Sequence, residues 1–373
     1  MTTAKNTYKV YILARVKLQL HSLNAAGAVG NYTKLQEGYV IHNGEVIPVP
    51  IITGNALKNW HARKMSIYYV TKLGGKHIHE RHFIDMLRAT GDMIKNKDDP
   101  EKDIVKNCAI CDVHGYLIAE RGVPPKRHSL IKFSFAVPTE DFIGKRIKFV
   151  VTHNRVVSMQ QKREKQAEEE EGEGKAEKEE QEKEVGMMIF KREYGTAIYA
   201  WDVVLDVAQI GRSQYRVTKV NNNIVWLGEE IVSDKDELNR RIKAVILAFD
   251  APLTGDLGAN TARALPISSP VELVAIVTNG PTPKPLHPYY SNWKEDLRQL
   301  LEVFSERVEK VFVFGISKEE LLKSSKSSQQ SEQKGKNSQV EDKISECNTW
   351  YELIESLTDY LTGGTQVLCK QRV

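Results

Sequence analysis

Val49-Pro-Ile-Ile-Thr53-Gly-Asn-Ala-Leu-Lys58-Asn-Trp-His-Ala-Arg-Lys64 reads as a strand end, a tight turn and the first turns of a helix. Thr53 is the expected N-cap, because its hydroxyl can accept from a free backbone N–H of the first turn. Gly54 lets another stretch of backbone approach the helix start. At about 100° per residue, Ala56, Leu57, Trp60 and Ile67 fall on one face and Asn55, Lys58 and His61 largely on the other. Free N–H groups beside an amide, a Lys and a His suit a phosphate. The same residues also make an ordinary capped amphipathic helix with a solvated polar face.

Working outward, residues 8–20 alternate as a strand, with Val10, Ile12, Ala14, Val16, Leu18 and Leu20 on one side. Residues 22–31 read as a Gly- and Asn-containing loop, and Asn43-Gly44 signals a hairpin with a type I′ turn. The helix after Thr53 is expected to run to about Leu73. Residues 74–125 read as an irregular, mostly helical insertion, with a helix over 77–89. Strands are predicted at 129–137, 146–153, 196–206, 271–278 and 311–314, and helices at 234–248, 292–310 and 349–361. Residues 250–270 read as Gly- and Pro-rich loop, and 324–339 as a Ser/Lys/Gln-rich linker. Strands and helices mixed without βαβ spacing predict an α+β fold, a modified ferredoxin-like sheet with insertions.

The chain has 373 residues, 41% hydrophobic and 27% charged, which describes a soluble globular protein. No apolar run approaches the roughly 18 residues of a membrane span, and no secretory signal is visible. Four Cys make no disulfide framework, so a reducing cytoplasm is the expected setting. The net charge of +4 hides an asymmetry. Residues 164–184 hold 11 Glu and 4 Lys, a local −7, so the rest carries +4 − (−7) = +11. A body this basic suits a polyanionic partner.

Cys108-x-x-Cys111-x-x-His114 has zinc-like spacing but lacks a fourth ligand nearby, since Cys347 and Cys369 are distant. A reduced, packed loop is the reading, with no metal and no cofactor. His77, His79 and His82 read as part of a solvated helix. No nucleophile elbow, Walker loop or dinucleotide fingerprint is present. His21, His61 and His153 are the conceivable acid–base groups for RNA cleavage. His153-Asn154-Arg155 ends a strand with three polar side chains able to reach phosphate, ribose or base. Across the acidic segment, Met187, Met188 and Phe190 stand beside Lys191 and Arg192, and apolar wedges next to basic groups suit stacking on unpaired bases.

With these pieces placed, the chain resembles the CRISPR-associated Cas-seven family, archaeal Csa-two/DevR type, the backbone subunit of type I Cascade complexes. The matching motifs are Ser22-Leu-Asn24…Asn31-Tyr32, Ile52-Thr-Gly-Asn-Ala-Leu-Lys58, Cys111-Asp-Val-His-Gly115, Val151-Thr-His-Asn-Arg155 and Asp256-Leu-Gly-Ala-Asn-Thr-Ala-Arg-Ala-Leu-Pro266. They span residues 10–270 in family order.

The resemblance implies an RRM-like palm with a thumb hairpin, polymerising with copies of itself and other Cascade subunits along CRISPR RNA, with target DNA recognised through guide pairing. It implies this division: palm in 1–73, helical insertion in 74–128, palm strands and thumb base in 129–160, a disordered acidic thumb tip in 161–186, the rest of the palm in 187–320, and a linker with terminal helix in 321–373. The implied RNA contacts are Asn24, Asn31, Thr53, Gly54, Asn55, Lys58, His61, Arg63, His153, Asn154, Arg155, Met187, Met188, Phe190 and Arg263. Such a surface grips phosphate and leaves base edges free. Some relatives cut RNA with an Asp in the loop after the first strand. Here residues 22–35 contain no Asp or Glu, so binding without catalysis is expected. An RNA-cleaving endoribonuclease and a DNA-binding autoregulator are the alternatives. No membrane partner is expected.

Overall fold

Aliphatic residues alternating over 13 positions make β1 (Lys9–His21) the centre of a sheet in the computed structural model. The structure describes residues 8–84, 93–118, 125–158, 185–220, 223–258, 261, 264–322 and 340–364. After β1 come β2 (Ala25–Val29), β3 (Tyr32–Leu35), β4 (Glu37–His42), β5 (Glu45–Pro50) and α1 (Gly54–Ile67). The insertion holds α2 (Glu80–Ile84), α3 (Pro100–Asn107), α4 (Ala109–His114), β6 (Tyr116–Leu117) and β7 (Lys126–Arg127). Then follow β8 (Ile131–Phe133), β9 (Val137–Pro138), β10 (Lys148–Ser158), β11 (Val185–Leu205), β12 (Arg212–Val220) and β13 (Asn223–Glu230). The chain continues through α5 (Lys235–Leu247), α6 (Asp250–Thr254), β14 (Ile267–Thr278), α7 (Trp293–Val303) and β15 (Val308–Phe314). It closes on α8 (Lys318–Leu322), β16 (Ile344–Glu346) and α9 (Trp350–Thr362).

The main sheet runs β16-β15-β14-β1-β11-β3-β2, with β8, β9 and β10 also paired to β11. β1 lies antiparallel between β14 and β11, so Ile12 faces Ala275 on one side and Val203 on the other. The antiparallel palm sheet that the α+β, ferredoxin-like expectation carries needs correcting. β3 runs parallel to β11 and β16 parallel to β15, which makes the fold a mixed α/β architecture with a central mixed sheet. The cause is the length of β11. Its 21 residues outrun β1, whose pairing ends at Gly195, and the free half takes β10 and the parallel β3.

Both faces of β1 are covered. Val10, Ile12, Ala14, Val16 and Leu18 join Leu57, Val113, Ile246, Leu253 and Leu357 in the larger core. Tyr11 and Leu13 pack with Trp293 and Leu297 of α7 in the smaller one. Two covered faces give three layers.

Several expectations change. Leu20 is exposed with φ 53°, because β1 shifts register between Leu18 and His21. Ile67 is exposed, and α1 buries Leu57, Trp60, His61 and Met65 instead. The expected loop at 22–31 contains β2, whose partner is β3. The helix at 234–248 leads into α6, and the one begun near 292 stops at Val303. The β12–β13 hairpin carries no sequence signal noted above. Asn43 and Gly44 have φ 51° and 82°, as a type I′ turn requires. Cys347 is disulfide-bonded, whereas Cys108 and Cys111 are free and buried. The acidic segment as far as residue 184 and the linker at 324–339 lie outside the described residues. Among the described residues, no helix is long and apolar enough to cross a membrane.

Candidate nucleic-acid interface

Thr53 caps α1 as expected, its Oγ1 accepting from the Ala56 N–H at 3.3 Å. Asn24 holds Thr53 in turn. Its Oδ1 accepts from the Thr53 N–H at 2.9 Å and from the Thr53 hydroxyl at 3.0 Å. Asn24 therefore fixes the turn, and that oxygen is already engaged. Gly54 is buried, and a Cβ there would lie 2.6 Å from the Phe133 carbonyl oxygen and 3.0 Å from that of Ser134. The backbone that Gly54 admits is this chain's own.

Asn55 and Arg63 are exposed and Lys58 is half-buried. Asn55, Lys58 and Asn59 line one wall of a cavity of about 120 Å³, opposite His82, Ile110, His114 and Gly115 of the insertion. His61 is a correction. It is fully buried, with Nδ1 3.1 Å from His114 Nε2 and Nε2 2.9 Å from the Val245 carbonyl. Burial lowers its pKa to about 3, so it is neutral and faces away from the polar side. The helix is packed on more than one side, by α4 and α5 as well as the sheet, which buries a wider arc than the simple two-face reading allows.

The second polar cluster sits on the hairpin of β10 and β11. His153 pairs across the strands with Phe190, their rings stacked at 5.2 Å and 18°. His153 Nε2 lies 3.1 Å from the Tyr194 hydroxyl. Residues two apart share a strand face, so Phe190, Arg192 and Tyr194 form one row. Asn154, Ile189 and Lys191 are exposed. In the sequence Arg192 stands out only for its charge, yet it is the most telling group here. It is 6% exposed, and among the described residues its Nε and Nη1 have no hydrogen-bond partner. Two buried donors left without acceptors are costly, and an arriving anion that accepts from them removes the cost. No local motif marks it; only the fold reveals that the side chain is buried.

Hydrogen bonds join the two clusters through β3. The Gln36 N–H donates to the Asn24 carbonyl at 2.8 Å, beside the Thr53 cap. Next to it, the Leu35 N–H donates to Glu193 Oε2 at 2.9 Å and the Tyr32 hydroxyl to Glu193 Oε1 at 2.5 Å. Burial opposes charge on Glu193, but those two donors outweigh it and hold its pKa below the usual carboxylate range. Asn31 is exposed and offers its carbonyl to the Lys191 N–H at 2.7 Å. The side chains of Arg155, Met187 and Met188, and the whole of Arg263, lie outside the described residues.

Neither His21 nor His61 is placed for acid–base chemistry. His21 is buried with both ring nitrogens unpartnered among the described residues, and burial lowers its pKa to about 4. The possible metal ligands also differ from the sequence reading. His114 turns to His61, while His79 and His82 approach Cys108 and Cys111. His82 is buried, so the solvated-helix reading fails there. Burial opposes a charged thiol, but contacts from Cys111, His79 and His82 hold Cys108 well below the usual thiol range.

The pattern of a family described as "CRISPR-associated negative auto-regulator DevR/Csa2" matches residues 12–297. A CRISPR-associated protein Cas7/Cst2/DevR of Methanocaldococcus jannaschii is 32% identical over 309 residues, covering 78% of this chain and 88% of that protein. One of the same name from Thermoproteus tenax is 32% identical over 308 residues, covering 81% and 85%. A CRISPR-associated aCascade subunit Cas7/Csa2 of Saccharolobus solfataricus is 26% identical over 296 residues, covering 73% and 81%. A solved chain titled CRISPR RNA-guided surveillance complex aligns at TM-score 0.48 with 8% identity, in its pre-nicking form, over 95% of this chain and 99% of that one.

Proposed function

The chain belongs to the CRISPR-associated DevR/Csa2 family, and on that footing we propose that it is a non-catalytic, RNA-binding backbone subunit of a Cascade-type complex. Copies of it polymerise along CRISPR RNA beside other Cascade subunits and leave guide bases free to pair with target DNA. The central strands act as an RRM-like palm and the β10–β11 hairpin as the base of a thumb.

One observation carries the reading: the hairpin face that sets the His153–Phe190 stack in line with the unmatched donors of Arg192. An aromatic platform beside a guanidinium is what a single strand needs, a surface for a base and a charge for its phosphate. Lys58 and Asn55 extend the phosphate track at the start of α1, and Asn154 and Lys191 extend it along the hairpin. Contacts of this kind, made to phosphate and to a base face, leave the pairing edges free, which suits a protein whose specificity comes from base pairing. Exposed Tyr39, Ile41 and Val46 on the β4–β5 hairpin make an apolar strip suited to the next copy. The lack of any Asp or Glu in 22–35, and the burial of His21 and His61, support binding without cleavage.

The test is binding of the purified full chain to two single-stranded RNAs of unrelated sequence. Equal affinity within about threefold, with several chains assembling on each RNA, is expected for backbone recognition. A nucleic-acid-free monomer with no affinity for single-stranded RNA at low salt overturns the reading. Sequence-specific binding to duplex DNA alone would favour the autoregulator, and cleavage of the RNA the nuclease.

A further inference from the structure

We propose that His79, His82, Cys108 and Cys111 form a structural zinc site that clasps the helical insertion behind α1. One ligand atom from each of the four lies within 4.8 Å of all the others. His82 Nε2 is 3.0 Å from Cys111 Sγ, and His79 Nδ1 is 3.8 Å from it. Zinc at about 2.3 Å from sulfur and about 2.0 Å from nitrogen sets ligand atoms roughly 3.3–3.8 Å apart at tetrahedral angles. The four atoms already sit near that spacing and need only small side-chain rotations to enclose one ion.

The donor set selects the metal. Two thiolates and two neutral imidazoles around Zn²⁺ sum to zero charge, the least costly state for a buried site. His82, Cys108 and Cys111 are buried and His79 is half-buried. Calcium and magnesium take oxygen ligands, which this cluster does not offer. A two-iron, sulfide-bridged centre would hold the Cys pair and the His pair further apart than these four atoms stand. Four protein ligands close the coordination shell, so the ion serves structure and leaves no open position for a substrate.

Local geometry supports the same assignment. Cys108 Sγ accepts the Cys111 N–H at 3.4 Å, a bond that stabilises thiolate charge at a metal. His79 and His82 are joined by the His82 N–H donating to the His79 carbonyl at 2.9 Å. The five-residue α2 and the six-residue α4 are too short to be stable alone. An ion ties them into one unit, and His82 and His114 from that unit complete the wall of the cavity facing Lys58. The proposal stands whatever ligand α1 takes.

The full chain, purified under reducing conditions without chelator, should contain about one zinc per molecule by elemental analysis. Cobalt added to the chelated protein should give the visible bands of a tetrahedral ion and a thiolate charge-transfer band. Cys108→Ser and His82→Asn should each lower zinc content at least about fivefold, while His77→Asn and His114→Asn leave it unchanged. Should the ligand variants fail to fold, the wild-type chain decides: chelation must lower its melting temperature, and zinc but not magnesium must restore it. Absence of both zinc and the cobalt spectrum, iron with labile sulfide in their place, a Cys108–Cys111 disulfide, or loss of zinc in His114→Asn would each overturn the proposal. A chain that purifies without zinc and gives no cobalt spectrum, yet binds single-stranded RNA, would overturn the metal site alone and leave the RNA reading standing.

Discussion

Replacing Gly54 by Ala sets two effects of opposite sign against each other. Helix propensity favours Ala over Gly by about 1 kcal/mol in a helix interior, and by less in the first turn. Against that, the new Cβ would sit 2.6 Å from the Phe133 carbonyl oxygen and 3.0 Å from that of Ser134. Those carbonyls cannot easily yield. The Ser134 N–H donates to the Asp202 carbonyl at 3.0 Å, and Ala136 and Ile52 exchange backbone bonds at 2.9 and 3.0 Å. Overpacking against fixed backbone costs about 1–3 kcal/mol, so the clash wins and Gly54→Ala should destabilise by about 1–2 kcal/mol net. For a large domain each kcal/mol moves the melting temperature by about 2–4 °C. A fall of about 2–8 °C in a thermal melt is expected on that scale, with weaker RNA binding because the Thr53–Asn24 clasp must shift. A melting temperature equal to or above that of the wild type would refute the steric argument.

Acid should destabilise the protein through His21 and His61, whose pKa values burial lowers to about 4 and about 3. Both folded values lie below the unfolded one, so the unfolded state binds the extra protons. Stability is full above about pH 6.5 and falls by about 1.4 kcal/mol per pH unit for each group as pH drops toward the folded values. His21→Leu should remove one such increment from the slope of a urea-denaturation series between pH 6 and pH 4.5, and an unchanged slope would contradict the burial argument. Lys58→Ala should weaken binding of unrelated single-stranded RNAs equally and reduce the salt slope by about 0.7. A change in sequence preference at constant slope would rule out a phosphate contact.

The elements that could be read from the sequence are those set by local chemistry. The alternation from Val10 to Leu18, the Thr53 cap and the positive φ of Asn43 and Gly44 depend on residues within a few positions of one another. What was missed depends on distant chain. His61 shares a helical flank with Lys58 in projection, but α4 and α5 arrive from far along the sequence and cover it. The parallel pairing of β3 follows from the overhang of β11, which no period-2 pattern encodes. His82 and Cys111 are 29 residues apart, so their meeting is a fact of the fold. A signal did exist: His-x-x-His and Cys-x-x-Cys within one insertion are two complementary half-sites. Arg192 reads in sequence as one more surface cation, and only its place in the sheet shows that it is buried.

The most direct test of the account is Arg192→Met, measured for both folding stability and RNA affinity. Buried donors without acceptors cost stability, so removing those of Arg192 should leave the melting temperature of the RNA-free chain unchanged or raised. Loss of a charge-assisted contact worth about 1.5–3 kcal/mol should weaken single-stranded RNA binding about 10- to 150-fold. A lower melting temperature with unchanged RNA affinity would show that Arg192 serves the fold and would contradict its role in holding the strand.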